Sequence, residues 1–323
     1  MAGNSIRQTP AGRVLVTGAS GFIGRATAEA LERAGHLVVR GARVVPAGTA
    51  ANPAWVAYGD IGAATRWEPA VASIDAVVHV AGLAHLPDDT TPGAAEAFHE
   101  INALGTAGLA AAAIAAGVRR FVLISSALVH GPGRAGRAFT EADTPAPATP
   151  YARSKLEAEE ALRQAAAASA MSFAILRPPL VYGPGVRANF RRLMRLAASG
   201  LPIPLGAATA PRRVIAIDNL TSAIERCLSH PGAQNETFLV CDAETTSTAD
   251  LIRHLAAAQG RRAWLPAVPP GLLRPAFTAL GRSRDFDRLF APLDLDARKI
   301  RESLSWTPPI ALAEGIRRAV ATR

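Results

Sequence analysis

Six apolar runs of strand length alternate with helix-length segments through the first 180 residues, and no other feature restricts the fold as strongly. The runs cover residues 13–17, 37–42, 55–58, 76–81, 121–125 and 173–176, with helical stretches beginning near Phe22, Gly93 and Pro150. Runs that are apolar throughout, not at every second position, suit strands buried on both faces of a helix-covered parallel sheet. The pattern predicts an α/β fold of the Rossmann type, a doubly wound parallel sheet. After Arg177 the rhythm breaks, and Pro178, Pro179, Pro184, Pro202, Pro204 and Pro211 crowd a short span. There the chain is expected to leave the sheet and build a smaller C-terminal lobe, with one strand at 237–241 returning to the sheet. A ligand cleft then lies between the two parts, at the carboxyl ends of the strands.

The first strand runs straight into Gly18-Ala19-Ser20-Gly21-Phe22-Ile23-Gly24, and a helix follows. The first glycine permits a tight turn, the second lets backbone approach a pyrophosphate, and the third allows close helix–strand packing. The phosphates rest on unpaired N–H groups at the helix N-terminus. This spacing is weak evidence alone. After a strand, before a helix and at the head of a βα series, it reads as a dinucleotide site. The expected division is a flexible N-terminus at 1–12, a dinucleotide-binding domain at 13–180 with 214–242 supplying the returning strand, and a substrate lobe at 181–213 and 243–323. The second strand ends Arg40-Gly41-Ala42-Arg43 without the acid that ordinarily meets the adenosine ribose. Arg43 thus either welcomes a 2′-phosphate or stands in solvent, which leaves NAD and NADP both open. Asp60, after the third strand, is placed to meet the adenine amino group or to serve a turn.

The chain carries a formal charge of +9, and only Lys155 and Lys299 among its 35 basic residues are lysines. The arginines are scattered without a basic run or a reading motif, which argues against nucleic acid. Cys227 and Cys241 lack metal or redox spacing and read as buried thiols of a reducing cytosol, and no metal site is expected. The N-terminus has no apolar core of a secretory signal, and no apolar run reaches membrane-spanning length. A soluble, cytoplasmic protein is expected.

Tyr151 and Lys155 open the helix that follows Pro150. Spacing of i, i+4 places phenol and ammonium on one face. A cation about 5 Å away at an effective dielectric near 20 favours phenolate by about 3 kcal/mol, or about two pKa units. That would move the phenol towards the working pH of a general base. With three tyrosines and two lysines in 323 residues, chance would supply such a pair only about 0.02 times. Ser125 and Ser126 end the fifth run, where a hydroxyl faces the cleft and can bond a reacting oxygen. Either serine could equally be a strand-end cap.

Together these residues resemble the extended short-chain dehydrogenase/reductases, the NAD-dependent epimerase/dehydratase family. The resemblance spans nearly the whole chain: Thr17 to Gly24, Asp60-Ile61, His79-Val80-Ala81-Gly82, Asn102 to Thr106, Ser125-Ser126, Tyr151 to Lys155, Leu176 to Pro184, residues 212–220 and Leu304 to Pro308. Pro184 to Phe190 looks most like bacterial UDP-glucose and UDP-N-acetylglucosamine 4-epimerases and their surface-polysaccharide relatives. The resemblance implies that Gly18, Ser20, Gly21, Phe22, Ile23, Gly24, Arg43, Asp60, Ile61, Ala81, Gly82 and Pro178 line an NAD site. Ser126 and Tyr151 would handle the sugar hydroxyl proton, Lys155 would hold the nicotinamide ribose, and Asn189 and Arg212 would meet the diphosphate of a nucleotide sugar. It also implies a homodimer, for which alanine-rich helices at 106–116 and 156–168 are candidates. His130 departs from the family, standing where its motif has tyrosine.

Three alternatives frame this reading. A 4,6-dehydratase needs an acid and a base after the hydroxyl residue, and Ala127 and Leu128 cannot move protons. An NADPH-dependent 4-ketoreductase shares every catalytic residue, with only Ala42-Arg43 leaning towards it. A non-catalytic sensor would be expected to lose Tyr151 or Lys155.

Overall fold

A computed structural model describes residues 12–49, 54–84, 86, 92–134, 136–186 and 188–321, apart from the side chains of 188 and 189. Of the N-terminal segment expected to be flexible, all but Gly12 lies outside the described residues. The strands are β1 (Arg13–Thr17), β2 (Leu37–Ala42), β3 (Trp55–Ala57), β4 (Ala76–His79), β5 (Arg120–Ile124), β6 (Ser172–Arg177), β7 (Leu180–Tyr182), β8 (Val214–Ala216) and β9 (Glu236–Leu239). Seven form one parallel sheet in the order β3-β2-β1-β4-β5-β6-β9. This is the Rossmann-type arrangement, with the chain reversing direction between β1 and β4. β7 and β8 make a separate parallel pair.

Register explains why the runs are apolar throughout. Val39, Leu15, Val77, Phe121 and Phe173 lie side by side across the sheet on one face. They pack on Leu109, Ala113, Ala158 and Leu162 of helices Gly105–Ala115 and Pro150–Ala167. The opposite row, Val16, Val78, Val122 and Ala174, meets Leu31 of helix Phe22–Arg33 and Leu220, Ile224 and Cys227 of helix Ile217–Ser229. Each fully buried side chain of this size contributes about 1.5–3 kcal/mol. A third core lies around Tyr182, Phe190, Leu205, Ile252 and Ile316, and takes in Val214 and Ala216 of β8. The terminal motif closes on the main core, where Leu304 and Trp306 are buried and the Trp306 indole donates to Ser222 at 3.2 Å.

The returning strand runs Glu236–Leu239 and pairs with β6. β4 stops two residues short of the expected 81. The N–H groups of Val80 and Ala81 turn away from the ladder to the Thr17 hydroxyl, at 3.1 Å each. The helix expected near Gly93 runs Ala94–Phe98, widens into a π-helical turn over His99–Leu104, and continues as Gly105–Ala115. Cys227 and Cys241 are buried free thiols, pushed up to about 12 by burial. Among the described residues, no helix is long and apolar enough to cross a membrane.

Candidate active site

The glycine turn is closed so tightly that side chains are excluded from it. Gly18 has φ +68°, and a Cβ there would stand 3.0 Å from backbone of Ala81. A Cβ on Gly24 would fall 2.1 Å from the Gly18 carbonyl oxygen. Helix Phe22–Arg33 starts on Gly21 without a side-chain cap, so its first N–H groups remain available to an anion. Ser20 is exposed at the tip, and Ile23 is half-buried. Behind the turn, Thr17 accepts two backbone N–H bonds, so its own hydroxyl proton goes to His79 Nδ1 at 2.8 Å. Burial, aided by Lys155, holds His79 down to about 3, keeping it a neutral acceptor. Tyr58 completes the floor, its oxygen accepting the Gly18 N–H at 3.1 Å.

Across the cleft, Thr149 caps helix Pro150–Ala167 by accepting the Ala152 N–H at 3.1 Å. The cap sets Tyr151 in the first turn, edge-on to Phe98 at 5.9 Å between ring centres. The structure separates the two serines. Ser125 donates to Glu159 at 2.5 Å, whereas the Ser126 side chain acts on Tyr151 and favours its ionised form. Ser126 also accepts the Leu128 N–H at 3.2 Å, capping the short turn Ala127–His130. One residue is thus cap and site residue at once.

The direction expected for the phenol is reversed. Burial raises Tyr151 above the ordinary tyrosine value, and only the Ser126 side chain pulls it down. Lys155 is 7% exposed and is itself lowered to about 8 by burial, with Glu159 one turn further on opposing. The simple Coulomb argument from spacing omitted the desolvation that both groups undergo.

Asn102, Glu159 and Arg177, to which sequence reasoning assigned no individual role, hold this helix. Asn102, in the π-helical turn, donates to the Leu83 carbonyl and to Ser154, each at 2.9 Å, and accepts the Leu83 N–H at 2.8 Å. It ties the segment after β4 to helix Pro150–Ala167. Gly82 lies alongside, where a Cβ would come 2.7 Å from the Asn102 oxygen and 3.6 Å from Lys155 Nζ. Below Lys155, Glu159 takes bonds from Arg177 at 2.9 and 2.6 Å, from Arg163 at 2.9 Å and from Ser125. Burial, the largest single influence, disfavours the carboxylate, but Arg177, Ser125 and Arg163 together outweigh it and Glu159 stays below its usual range. Arg177 also donates to His130 Nε2 at 3.0 Å, which fixes the proton of that neutral ring on Nδ1. Pro178 accepts the Ala127 N–H at 2.9 Å and joins the ends of β5 and β6.

The remaining candidates lie at the rim. Arg40 turns away to pair with Glu32 at 2.7 Å, while Arg43 and Asp60 face each other at 3.6 Å, both exposed. Ile61 packs against Gly105, where no Cβ would fit. Arg212 donates through Nη2 to the carbonyls of Arg288 and Ala291, at 2.5 and 3.1 Å, so part of its guanidinium is already committed. Asn189 lies in helix Ala188–Ala198, and its side chain is outside the described atoms. Asn219, within the 212–220 motif, has a framework part, donating to Asp242 at 2.7 Å and to the Ile310 carbonyl at 2.9 Å.

Comparison with known proteins identifies the family of the chain. Residues 14–241 match the NAD dependent epimerase/dehydratase family. The chain is 39% identical over 306 residues to a UDP-glucose 4-epimerase of Vibrio cholerae, covering 94% of this chain and 93% of that protein. It is 31% identical to a UDP-glucose 4-epimerase of Mycolicibacterium smegmatis, covering 95% and 97%. Among solved structures, MoeE5 in complex with UDP-glucose and NAD superposes with a TM-score of 0.78 at 26% identity, covering 96% and 98%. Matched in sequence and in fold, the chain belongs to the NAD-dependent epimerase/dehydratase family.

Proposed function

We propose that this chain is an NAD-dependent nucleotide-sugar 4-epimerase, acting on a UDP-hexose or UDP-N-acetylhexosamine by transient oxidation at the sugar 4-position. The observation that carries the reading is buried Lys155 one turn after Tyr151 on helix Pro150–Ala167, with the Ser126 side chain acting on the phenol from just beyond the end of β5 and Ala127 and Leu128 next along the chain. The relatives named as UDP-glucose 4-epimerases support it.

The residues present fit the cofactor. The cradle leaves no room for a side chain at Gly18 or Gly24, and the N–H groups of Phe22 and Ile23 at the start of the helix suit a diphosphate. Asp60 and Ile61 would meet the adenine, Ala81, Gly82 and Pro178 would wall the ring systems, and Lys155 would hold the nicotinamide ribose. Arg43 is balanced by Asp60, which favours NAD over a 2′-phosphorylated cofactor. When bound, NAD supplies a reversible hydride acceptor and a positive charge beside the phenol. Tyr151 takes the proton of the 4-hydroxyl, helped by that charge against the burial that raises its pKa. Ser126 bonds the same oxygen through the change from hydroxyl to carbonyl. The 4-keto sugar then turns over in the cleft, and Tyr151 returns the proton as the carbonyl is reduced from its other face. Without an acid at 127 or 128, no water is eliminated. Asn189 and the uncommitted edge of Arg212 are proposed to meet the substrate diphosphate.

A homodimer through helices Gly105–Ala115 and Pro150–Ala167 and a cytosolic setting, which suits two unpaired thiols, complete the proposal. The direct test is incubation with a panel of UDP- and dTDP-sugars, without added NADPH, followed by NMR. Interconversion of 4-epimers is expected. Absence of inversion, or turnover only with added NADPH, would assign the site to ketone reduction.

A further inference from the structure

Helix Pro270–Ala279 faces solvent the wrong way round. It contains no fully buried residue, and only Leu273 and Phe277, one turn apart, are half-buried. Phe277 meets Phe286 edge-on at 5.6 Å, which fixes the inward side. On the outer side lie Leu272 at 72% exposure and Leu280 at 73%, with exposed Ala276 between them at i, i+4, i+8. A helix exposed to water ordinarily carries polar residues along such a line. The surrounding sequence is also one-sided in charge. Residues 260–284 hold five arginines and no aspartate, glutamate or lysine. Arg261 and Arg262 are exposed and make no ion pair among the described residues, and Trp264 beside them is 64% exposed. Arg274 and Arg282 have only surface partners, Asp287 at 3.7 Å and Asp285 at 2.9 Å, which hold them weakly.

We infer that this arm is a docking face for the anionic surface of a lipid bilayer, on which the protein rests without crossing it. The combination of an outward leucine line, an exposed tryptophan and exposed arginines, Arg261 and Arg262 among them, is that of an interfacial helix. The apolar side enters the headgroup boundary while arginines meet lipid phosphates. A second copy of the chain suits the face less well, because it would set five arginines against five. The inference does not depend on the epimerase reading. It does reach the site, because Arg212 holds the Arg288 carbonyl of helix Ser283–Phe290, on which the arm packs.

The test is flotation of the full chain with vesicles of phosphatidylcholine alone and of an equal mixture of phosphatidylcholine and phosphatidylglycerol. Wild type is expected to float with the mixture, to stay behind with phosphatidylcholine, and to be released by high salt. Arg261→Gln/Arg262→Gln should weaken binding by about fivefold for each arginine removed. Leu272→Ser/Leu280→Ser should weaken it by about tenfold or more, with an unchanged thermal melt because both side chains are exposed. Failure of wild type to float with the anionic vesicles would overturn the inference, as would equal flotation with both kinds. Undiminished flotation of both double variants would overturn it too. Loss of self-association in the leucine variant, without any vesicle binding by wild type, would assign the stripe to a subunit contact instead.

Discussion

Arginine serves two regions of this molecule in opposite ways. Below helix Pro150–Ala167, Arg177 is 4% exposed and its donors are spent on Glu159 and His130 at 3.0 Å or less. In the arm at 260–284 five arginines share a stretch with no acid at all. The first arrangement is a framework, in which each charge is tolerable only because its partner is there. The second is a surface, where each charge is hydrated and cheap to change. Burial, and not residue type, decides what a substitution does.

The largest stability effect expected from that difference is at the framework. Arg177→Met should cost about 3–5 kcal/mol in urea unfolding, because Glu159 is left buried with weaker partners. Arg261→Gln should change stability by no more than about 0.5 kcal/mol. A small loss for Arg177→Met, comparable to that of the surface variant, would break the comparison.

Lys155 sharpens it through pH. Its folded-state pKa, about 8, lies below the ordinary lysine value of 10.5, so the folded protein releases this proton first. Across that window the unfolded chain binds more protons, and stability from this group rises with pH. Below pH 8 the buried ammonium is a standing cost. Apoprotein should therefore gain stability relative to Lys155→Met as pH rises from about 8 towards 10.5. A constant difference between the two proteins across that range would contradict the burial argument.

Glycine gives a smaller contrast. Gly24→Ala drives a Cβ to 2.1 Å from a carbonyl oxygen that cannot swing aside. About 1–3 kcal/mol of overpacking cost and loss of retained NAD are expected. Gly271, in the arm helix, has nothing within 4 Å of the same atom, and Gly271→Ala should stabilise by about 0.5 kcal/mol. Calorimetry with cofactor release checks both, and equal shifts would mean that packing at the turn is looser than described.

The parts legible in sequence were those with local signatures. Strands buried on both faces read as apolar runs, and the glycine turn and the Tyr151–Lys155 pair each fall within a few residues. Relations between distant segments were not legible. Nothing in one strand announces that Thr17 will bind His79, or that Arg177 will meet Glu159 eighteen residues earlier. The π-helical turn that aims Asn102 has no periodic signal, although Asn102 already stood in a motif. The pKa of Tyr151 was misjudged because spacing reports a neighbouring charge but not the loss of water around both groups.

Tyr151→Phe, assayed for UDP-glucose to UDP-galactose conversion alongside retained NAD, tests the central claim most directly. The phenol is held to be the group that moves the sugar proton, so kcat/KM should fall by about 10² to 10⁴ while NAD content is unchanged. Turnover within tenfold of wild type, with NAD still bound, would show that some other group moves the proton.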